Sequence, residues 1–530
     1  MKTFLRYFFL GCVILFGLAL FLLIRLQEMT YLNWFYLVAI FPWAILFGVW
    51  YLIFGKSSVG RRFLYVGGAV VCVAVIGFLL SRLLRYEGSA SGSSFPKFAW
   101  VWEPESTETA RAGELVQTKM STEETRLVDA MGDSLDFLGP NRNGVFPAPA
   151  FATNWSTNPP ELLWRRPVGK AWSGFAVSGR LAITQVQAGD AERVLSLDLF
   201  TGEEIWTHDN PNTRLIEVKQ ENSGAAMGGN GPRSTPVVHH DRVYALGATG
   251  ILNCLDLETG NEIWTRNVMS EFGGGVQKWG SANSVLVVED YGLVVVPGSD
   301  EPGASLIALD AATGEERWTW QGEGASYSSP RIMSIEDTPM LVSVNRHDVT
   351  GHNPENGEVL WKYDWRGCFP KVGQPISAGE NRILVTASYG VGSPLLEVTR
   401  TGQGAWTVEE LWKSTRMKTK FSSAFILGNQ AYGIDEGRLA SIHLSDGTKS
   451  WKDQKVGFGQ HLLFGDQLLV QTERGPVILG SIGPEGFVET SRLEALDGMT
   501  WNVPTVAGRF LLVRNDQEAA CYLLPKPGTL

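Results

Sequence analysis

The sequence has little cysteine, and its few thiols are scattered. Five cysteines occur in 530 residues: Cys12 and Cys72 lie in apolar runs, and Cys254, Cys368 and Cys521 are far apart. The chain has no CxxC, no CxxCH and no adjacent cysteines. This pattern excludes a disulfide framework, a thioredoxin-like redox motif and covalent haem attachment.

Several catalytic and nucleic-acid-binding signatures are also missing. The sequence contains no glycine-rich phosphate loop, no HExxH motif and no GxSxG nucleophile elbow. The net charge is −10, and because residues 1–86 carry +7, the remainder carries −17. Such an acidic domain repels phosphate backbones, so we expect no nucleic-acid partner.

Three almost uncharged apolar runs occupy the N-terminal end, each near the length of about 20 residues that spans a bilayer. They are residues 4–24, 31–54 and 63–80. A cleaved signal peptide would account for one run but not for three. Five basic residues flank these runs on the side of the N-terminus and three on the other side, which favours a cytoplasmic N-terminus. We therefore predict a three-helix anchor, residues 1–86, in the inner membrane, with the bulk of the chain on the periplasmic side.

A linker is expected after the anchor. The stretch GSASGSS, residues 88–94, is flexible by composition, and the following Glu-, Thr- and Ala-rich stretch shows no strand alternation. We predict a flexible linker over residues 87–136, with a short helix near 123–131. Turn signals then recur about every eight to twelve residues up to residue 524, which is typical of an all-β domain.

Ten-residue phrases that end in tryptophan recur along this domain and determine its fold. LDLFTGEEIW, LDLETGNEIW and LDAATGEERW end at Trp206, Trp264 and Trp318. Each predicts a strand, a tight turn at Thr-Gly and a second strand, because glycine supplies the positive φ that closes the turn. The copies are spaced by about the 40 to 60 residues of one four-stranded propeller blade.

Counting outer strands gives eight blades. Seven of them end in a tryptophan that we expect to dock against the next blade: Trp164, Trp206, Trp264, Trp318, Trp361, Trp412 and Trp451. An eighth, without tryptophan, covers residues 486–496. Residues 160–166 form an outer strand without inner partners, and the last three strands lack an outer one, so their pairing closes the ring. The predicted fold is all-β, an eight-bladed propeller over residues 137–530 preceded by three transmembrane helices.

The repeat of Leu/Ala-Asp, Thr-Gly and a terminal Trp resembles that of the pyrroloquinoline quinone (PQQ) repeat family. This family includes quinoprotein alcohol dehydrogenases and the propeller lipoprotein of outer-membrane β-barrel assembly. Five segments are similar to membrane-anchored or exported bacterial members: FLGPNRNGV (137–145), GPRSTPVV (231–238), DVTGHNPENG (348–357), KFSSAF (420–425) and LVRNDQEAACY (512–522). The resemblance implies the PQQ-like fold. It implies no activity, because the repeated residues hold blades together with or without a quinone.

The sequence departs from the quinoprotein enzymes of that family. It lacks the adjacent cysteines that lie beneath the quinone, and no Glu, Asn and Asp set matches the calcium ligands. Its short blades leave no room for the long insertions that cover an enzyme pocket. We therefore expect no cofactor and keep PQQ with Ca²⁺ as the alternative.

The residues that open the innermost strands are the candidates for ligand contacts, because those strands line the central channel. Ten cationic, aromatic and amide side chains are expected at one channel mouth: Arg233, Lys278, Trp279, Tyr327, Lys371, Gln374, Lys420, Gln460, Trp501 and Asn502. Such a set suits an anionic, planar or peptide-carboxylate ligand. The simpler interpretation is that the cations only keep the channel wet.

One pair of adjacent histidines, His239 and His240, stands at a predicted turn. Neighbouring side chains of a strand point to opposite faces, so we expect no metal site there.

Functions of different classes fit these patterns. The favoured one is a non-catalytic, membrane-anchored scaffold that binds a protein or peptide. The alternative is a PQQ-dependent oxidoreductase of alcohols or sugars, in which Trp279 or Trp501 stacks on the quinone. A small-ligand sensor is a third interpretation, although the sequence offers no cytoplasmic output domain.

Overall fold

A computed structural model describes residues 7, 11, 33–89, 96–102, 116–117, 124–215, 228–300, 303–367, 369–402 and 404–527. The chain forms two compact units, residues 1–106 and residues 107–530.

The first unit contains two consecutive helices, α1 (Asn33–Phe54) and α2 (Val59–Leu83). Helix α2 is long and apolar enough to cross a membrane, and none of its residues is buried. In α1 the shorter stretch Ala44–Phe54 is apolar. The first predicted span, residues 4–24, lies outside the described residues except at positions 7 and 11. Three spans therefore stay a prediction, which α2 supports.

A β-hairpin follows α2 where the sequence predicted a flexible linker. Strands Leu84–Ser89 and Pro96–Trp100 pair antiparallel, with Leu84 opposite Trp100. The linker prediction is wrong for these two strands. The physical reason is that apolar and aromatic residues flank the Gly/Ser stretch on both sides, and such residues favour strands.

The second unit is a ring of eight antiparallel sheets, so the predicted eight-bladed propeller is confirmed. We number the blades 1 to 8 along the chain and letter their strands A to D from the channel outward. Strands A to D are Ala176–Ser178, Leu181–Ala188, Ala191–Asp198 and Glu204–Asn210 in blade 1, and Val237–His239, Arg242–Leu246, Ile251–Asp256 and Glu262–Asn267 in blade 2. They are Leu286–Val288, Leu293–Pro297, Leu306–Asp310 and Glu316–Trp320 in blade 3, and Arg331–Ile335, Thr338–Val344, Asp348–His352 and Val359–Asp364 in blade 4.

Blades 5 to 8 repeat this arrangement. Strands A to D are Ile376–Ser377, Arg382–Leu384, Ser393–Arg400 and Trp406–Ser414 in blade 5, and Phe425–Leu427, Gln430–Asp435, Arg438–His443 and Lys449–Lys455 in blade 6. They are Gln460–Phe464, Gln467–Gln471, Val477–Gly483 and Gly486–Leu493 in blade 7, and Thr505–Ala507, Phe510–Arg514, Glu518–Leu523 and Glu161–Pro167 in blade 8.

The ring closes through blade 8 in the predicted way. Its outer strand comes from the start of the domain and its three inner strands from the end, with Leu523 opposite Glu161 and Tyr522 opposite Leu162. A short further strand, Val116–Gln117, pairs outside strand D. The ring therefore has no open seam between its first and last blades.

Six of the seven predicted tryptophans dock on the following blade. Each indole Nε1 donates to a main-chain carbonyl of that blade at 2.9 to 3.2 Å: Trp164 to Leu199, Trp206 to Leu257, Trp264 to Ala311, Trp318 to Pro354, Trp412 to Leu444 and Trp451 to Gly483. The Thr-Gly glycine lies under the ring: at Gly260 φ is +69°, and a Cβ would come within 2.4 Å of Trp206. Glycine is thus required both by the turn and by the indole above it.

Trp361 differs from the other six in its hydrogen bond, although it lies in one buried cluster with Ile383 and Leu396 of the next blade. Its Nε1 lies 3.3 Å from the sulfur of Met340, and its ring covers Gly351, both in its own blade.

One end of the channel is closed by residues 130–146, which we call the plug. Main-chain and side-chain bonds tie it to blades 8, 1, 2, 3, 4 and 7 in turn: Ala130 to Arg509, Ser134 to Val177, Leu135 to Val238, Arg142 to Ser284 and Val285, Asn141 to Arg331 and Gly144 to Leu463. Val145–Phe146 adds a parallel strand beside Gln460–Phe464. The plug lies along the A strands, and its Arg142 reaches the two residues before strand A of blade 3.

The propeller unit therefore begins earlier than the predicted boundary at residue 137. Helix α3 (Glu124–Val128) precedes the plug, as the sequence indicated, and its Leu127 is fully buried in the core of blades 8 and 1. Ala130 lies in the same core. The prediction of a flexible linker up to residue 136 is wrong here because this polar stretch supplies apolar residues at the spacing that a short helix buries.

Candidate functional site

The mouth is the end of the channel opposite the plug, formed by the residues that precede the A strands. The first aromatic cluster there consists of Trp279, Tyr327 and Phe369, with ring centroids 5.3 to 6.1 Å apart. The Tyr327 hydroxyl accepts a hydrogen bond from the main-chain nitrogen of Trp279 at 3.2 Å. Burial raises the pKa of Tyr327, so the phenol is neutral. Blades 3, 4 and 5 thus present one continuous ring surface.

Three cations border the first aromatic cluster. The Lys278 ammonium lies 4.8 Å from the Trp279 ring, and the Arg346 guanidinium lies 5.1 Å from the Phe369 ring. Arg233 is half-buried and donates to the carbonyls of Gly229, at 2.6 Å, and Gly231. Burial lowers the pKa of Arg233 to about 10, which leaves it charged at neutral pH. The cluster therefore combines ring faces with positive charge.

A second aromatic cluster, Trp172, Phe421, Phe458 and Trp501, lies on blades 1, 6, 7 and 8. Trp501 lies 4.8 Å from Trp172 and 4.9 Å from Phe421, measured between ring centroids. The Trp501 indole donates to a Glu473 carboxylate oxygen at 3.1 Å. The Trp172 indole donates to the Gly228 carbonyl at 2.6 Å. Gly228 lies beside Arg233, which borders the first aromatic cluster.

Lys420 is an internal cation rather than a surface one. Only 3% of it is exposed, and its ammonium lies 4.6 Å from the Tyr389 ring and 4.9 Å from the Phe458 ring. Burial lowers the pKa of Lys420 to about 8, against the attraction of Glu436 and Glu473. The expectation that this lysine stands at a wet surface is wrong, because aromatic rings surround it.

Four other predicted contacts are also buried, and three of them donate hydrogen bonds to main-chain carbonyls. Lys371 is fully buried, and its ammonium donates to the Arg346 carbonyl. The amide nitrogens of Gln460 and Asn502 each donate to two main-chain carbonyls. Gln374 is 2% exposed, and its side-chain amide has no hydrogen-bond partner among the described residues. The structure places these side chains between inner strands, because the strands crowd at the axis.

The mouth that remains accessible is therefore smaller than predicted and includes side chains that sequence reasoning missed. Lys278 is exposed, and Trp279 and Trp501 are half-buried. Phe369 and Arg346 were missed. Phe369 stands in the connection before strand A of blade 5, the same place that Trp279 holds before blade 3, so its position was detectable. Arg346 lies in a turn between strands B and C, and no sequence pattern predicts that this turn lies at the mouth.

Glu192 is a buried carboxylate that links blades 1 and 2 at the mouth. Its oxygens accept hydrogen bonds from the Ala248 nitrogen and the Thr249 hydroxyl, both at 2.9 Å. Burial raises the pKa of Glu192 to about 7. No sequence signal marks it, since a glutamate at the start of a strand is usually solvated.

The carboxylates at this end are already engaged. Glu192 holds blade 2, Glu473 accepts from Trp501, and Glu436 accepts from the Ser388 hydroxyl at 2.6 Å. Among the described cysteines, Cys254 and Cys521 are buried free thiols in the C strands of blades 2 and 8, and Cys368 lies outside the described residues.

The histidine pair lies at the plug end, in the turn between strands A and B of blade 2. The centroids of the His239 and His240 rings are 4.2 Å apart. The premise that they point to opposite faces is wrong, because His240 has a φ of +53° and leaves the strand geometry. Burial and the neighbouring His240 lower the pKa of His239.

The sequence matches known proteins of one fold. Residues 190–453 match the family model described as outer membrane protein assembly factor BamB. BamB of Shewanella oneidensis is 23% identical over 55% of this chain and 73% of its own length, and BamB of Burkholderia pseudomallei is 22% identical over 58% and 88%. Quinohemoprotein alcohol dehydrogenase of Comamonas testosteroni is 28% identical over 30% of this chain and 22% of its own length.

The fold is also that of a solved structure. The crystal structure of quinohemoprotein alcohol dehydrogenase from Comamonas testosteroni superposes with a TM-score of 0.54 at 13% identity, covering 75% of this chain and 82% of the other. At that identity the similarity concerns the fold alone. With its tryptophan repeats, its eight-bladed ring and these matches, the chain has the fold of the PQQ-like β-propellers.

Proposed function

We propose that the protein is a membrane-anchored scaffold of the bacterial envelope, whose propeller mouth binds an extended segment of a partner protein. The observation that carries this proposal is the first aromatic cluster, with ring faces that are bordered by Lys278, Arg233 and Arg346. Aromatic faces bind apolar and aromatic side chains, and the cations bind carboxylates. The segment that fits this surface therefore carries aromatic and acidic residues.

The rest of the propeller supports binding by holding the mouth rigid. Docked tryptophans join the blades, and the inner-strand amides of Asn283 and Asn502 donate across to the carbonyls of the next blade. A surface that is fixed before binding loses little conformational entropy when a partner arrives. Because the plug closes the other end, the partner would approach from the mouth.

The setting of the scaffold follows from the anchor and the relatives. Helix α2 has the length and composition of a membrane span, and the basic residues favour a cytoplasmic N-terminus. The BamB relatives are named as outer membrane protein assembly factors, which supports an envelope protein as the partner. The proposed location is the inner membrane, with the propeller in the periplasm.

Photo-crosslinking in cells tests the mouth. A photoreactive amino acid at position 278 should give a defined adduct, and the same residue at position 488, where Val488 is 63% exposed on an outer strand, serves as the control. The adduct from position 278 should disappear in a Trp279→Ala background. Equal adducts from both positions, or an adduct that survives Trp279→Ala, would contradict the proposal.

A C-terminal reporter tests the orientation. Alkaline phosphatase fused after residue 530 should be active, and green fluorescent protein at the same place should be dark, since one folds only outside the cytoplasm and the other only inside. The opposite pattern would place the propeller in the cytoplasm.

A PQQ-dependent oxidoreductase is the second candidate, favoured by the similarity to quinohemoprotein alcohol dehydrogenase. Adding PQQ and Ca²⁺ to the purified protein and following dye reduction with alcohols and sugars tests it. Stoichiometric quinone binding with substrate-dependent reduction would establish the enzyme and displace the scaffold.

A further inference from the structure

A second group of side chains with clear ligand chemistry lies at the plug end, away from the mouth. His239 ends strand A of blade 2, and His240 follows it in the turn. Glu289 stands in the corresponding turn of blade 3, in the 3-10 segment Glu289–Tyr291. Two neighbouring blades thus contribute to one group.

The separations within this group match those that a bound metal ion requires. One ligand atom from each of His239, His240 and Glu289 can be chosen so that all lie within 4.8 Å of one another, and His240 Nε2 lies 3.6 Å from a Glu289 oxygen. Two ligands at metal bonds of about 2.0 to 2.1 Å in a tetrahedral site are about 3.3 Å apart. Rotation of the exposed His240 and Glu289 side chains would close the remaining gap.

The backbone explains why the two imidazoles meet. His239 pairs with Arg242 across the hairpin, so its place in the sheet is fixed. The positive φ of His240 turns the imidazole of His240 to the side on which that of His239 lies. A regular strand would have separated the two rings.

We propose that His239, His240 and Glu289 bind one divalent transition-metal ion of the zinc class. Two imidazoles and one carboxylate select Zn²⁺, Co²⁺, Ni²⁺ or Cu²⁺, whereas Ca²⁺ and Mg²⁺ prefer sites made of oxygen ligands. The side chains of His240 and Glu289 are 72% and 70% exposed, so the ion can enter from solvent and keep water in its remaining positions.

The bound ion would join blades 2 and 3 at the plug end. Strand A of blade 2 is also held by the plug, since the Val238 nitrogen donates to the Leu135 carbonyl at 2.8 Å. An ion that binds the folded state and not the unfolded chain raises stability with the logarithm of its concentration once that exceeds the Kd. The site is thus a structural clip that does not depend on the function of the mouth.

Metal titration of the full-length protein in detergent, purified without a histidine tag and treated with chelator, tests the site. Co²⁺ should give visible absorption bands of an N/O-ligated ion, and calorimetry with Zn²⁺ should give one equivalent. His239→Ala, His240→Ala and Glu289→Gln should each weaken Zn²⁺ binding by at least about tenfold, since even the loss of an outer-sphere partner costs about that much.

The chain offers a matched control in His208, whose Nε2 lies 3.8 Å from Glu262, one imidazole beside one carboxylate. His208→Ala should bind Zn²⁺ like the unmodified protein. Zn²⁺ should also raise the thermal unfolding midpoint of the unmodified protein but not that of Glu289→Gln. Equal midpoints of the two proteins in the presence of chelator would show that the variant folds. Absence of one-equivalent binding, or an equal loss in His208→Ala and His240→Ala, would overturn the proposal.

Discussion

The two ends of the propeller channel are held by different kinds of contact. At the plug end, main-chain groups of Ala130, Leu135 and Gly144 bond to blades 8, 2 and 7, and the buried Arg142 donates to the carbonyls of blade 3. At the mouth, two clusters of rings with cations beside them face the channel opening. One end relies on the backbone, and the other on side chains.

The two ends of the channel therefore have different roles: the plug closes the channel, and the mouth would recognise a partner. Main-chain hydrogen bonds do not depend on which side chains are present, so a plug built from them closes the channel whatever ligand the mouth selects. Side chains on loops that a rigid scaffold holds can change without loss of the fold. The mouth is therefore the end at which the chemistry of a partner would be selected.

The largest effect is expected at Lys420. Lys420→Glu places a carboxylate in an almost fully buried site beside Glu436 and Glu473, so it should lower the free energy of unfolding by about 3–5 kcal/mol. Lys278→Glu, at an exposed position, should change it by no more than about 0.5 kcal/mol. Denaturant unfolding followed by tryptophan fluorescence measures both. Equal losses would mean that the mouth has no internal cation.

Arg142 tests the plug end. Its guanidinium pairs with Asp136 and donates to the carbonyls of Ser284 and Val285, and only 5% of the residue is exposed. Arg142→Ala leaves two buried carbonyls without donors and should cost about 3 kcal/mol. Arg180→Ala, which removes an ion-pairing arginine whose side chain is 43% exposed, should cost less than about 1 kcal/mol. A small loss at Arg142 would show that the plug does not stabilise the ring.

The ring itself was predictable because its signals are local and repeated. A Thr-Gly turn and a tryptophan recur in the same phrase, and the indole of Trp206 meets Gly260 of the next copy, so one pattern specifies both the turn and the blade contact. Ring closure followed from counting unpaired strands. Trp361 departs from the pattern only in its hydrogen bond, which goes to Met340 of its own blade.

The mouth was predictable only in part. Position before strand A identified Lys278 and Trp279, but it could not distinguish them from Lys371, which lies at an equivalent place and is fully buried. Burial at the axis depends on how neighbouring inner strands pack, and that is a tertiary property. The plug was missed because most of its bonds are made by main-chain atoms, which leave no trace in residue type.

Glu192 gives the mouth a pH dependence of stability between about pH 4.5 and 7. Folding raises its pKa from 4.5 to about 7, so the folded state binds the proton more tightly. The stabilisation is present below pH 4.5 and is lost as pH rises towards 7, by about 3.5 kcal/mol at 1.4 kcal/mol per unit. Glu192→Gln should remove this part of the pH profile, and Glu203→Gln, at an exposed position, should keep it. An unchanged profile in Glu192→Gln would place the titration elsewhere.

The smallest effect on stability, and the sharpest on binding, is expected at Trp279. Its indole is half-buried against Tyr327 and Phe369, so Trp279→Ala should cost only about 1 kcal/mol of unfolding free energy. Trp264→Ala, which removes a docked indole that is 8% exposed, should cost about 3–5 kcal/mol. Binding of a fluorescent peptide rich in aspartate and phenylalanine, measured by anisotropy, should be lost in Trp279→Ala and kept in Trp264→Ala at temperatures where both are folded. Similar stability losses in the two variants, or peptide binding that survives in Trp279→Ala, would mean that the mouth is a structural end like the one the plug closes.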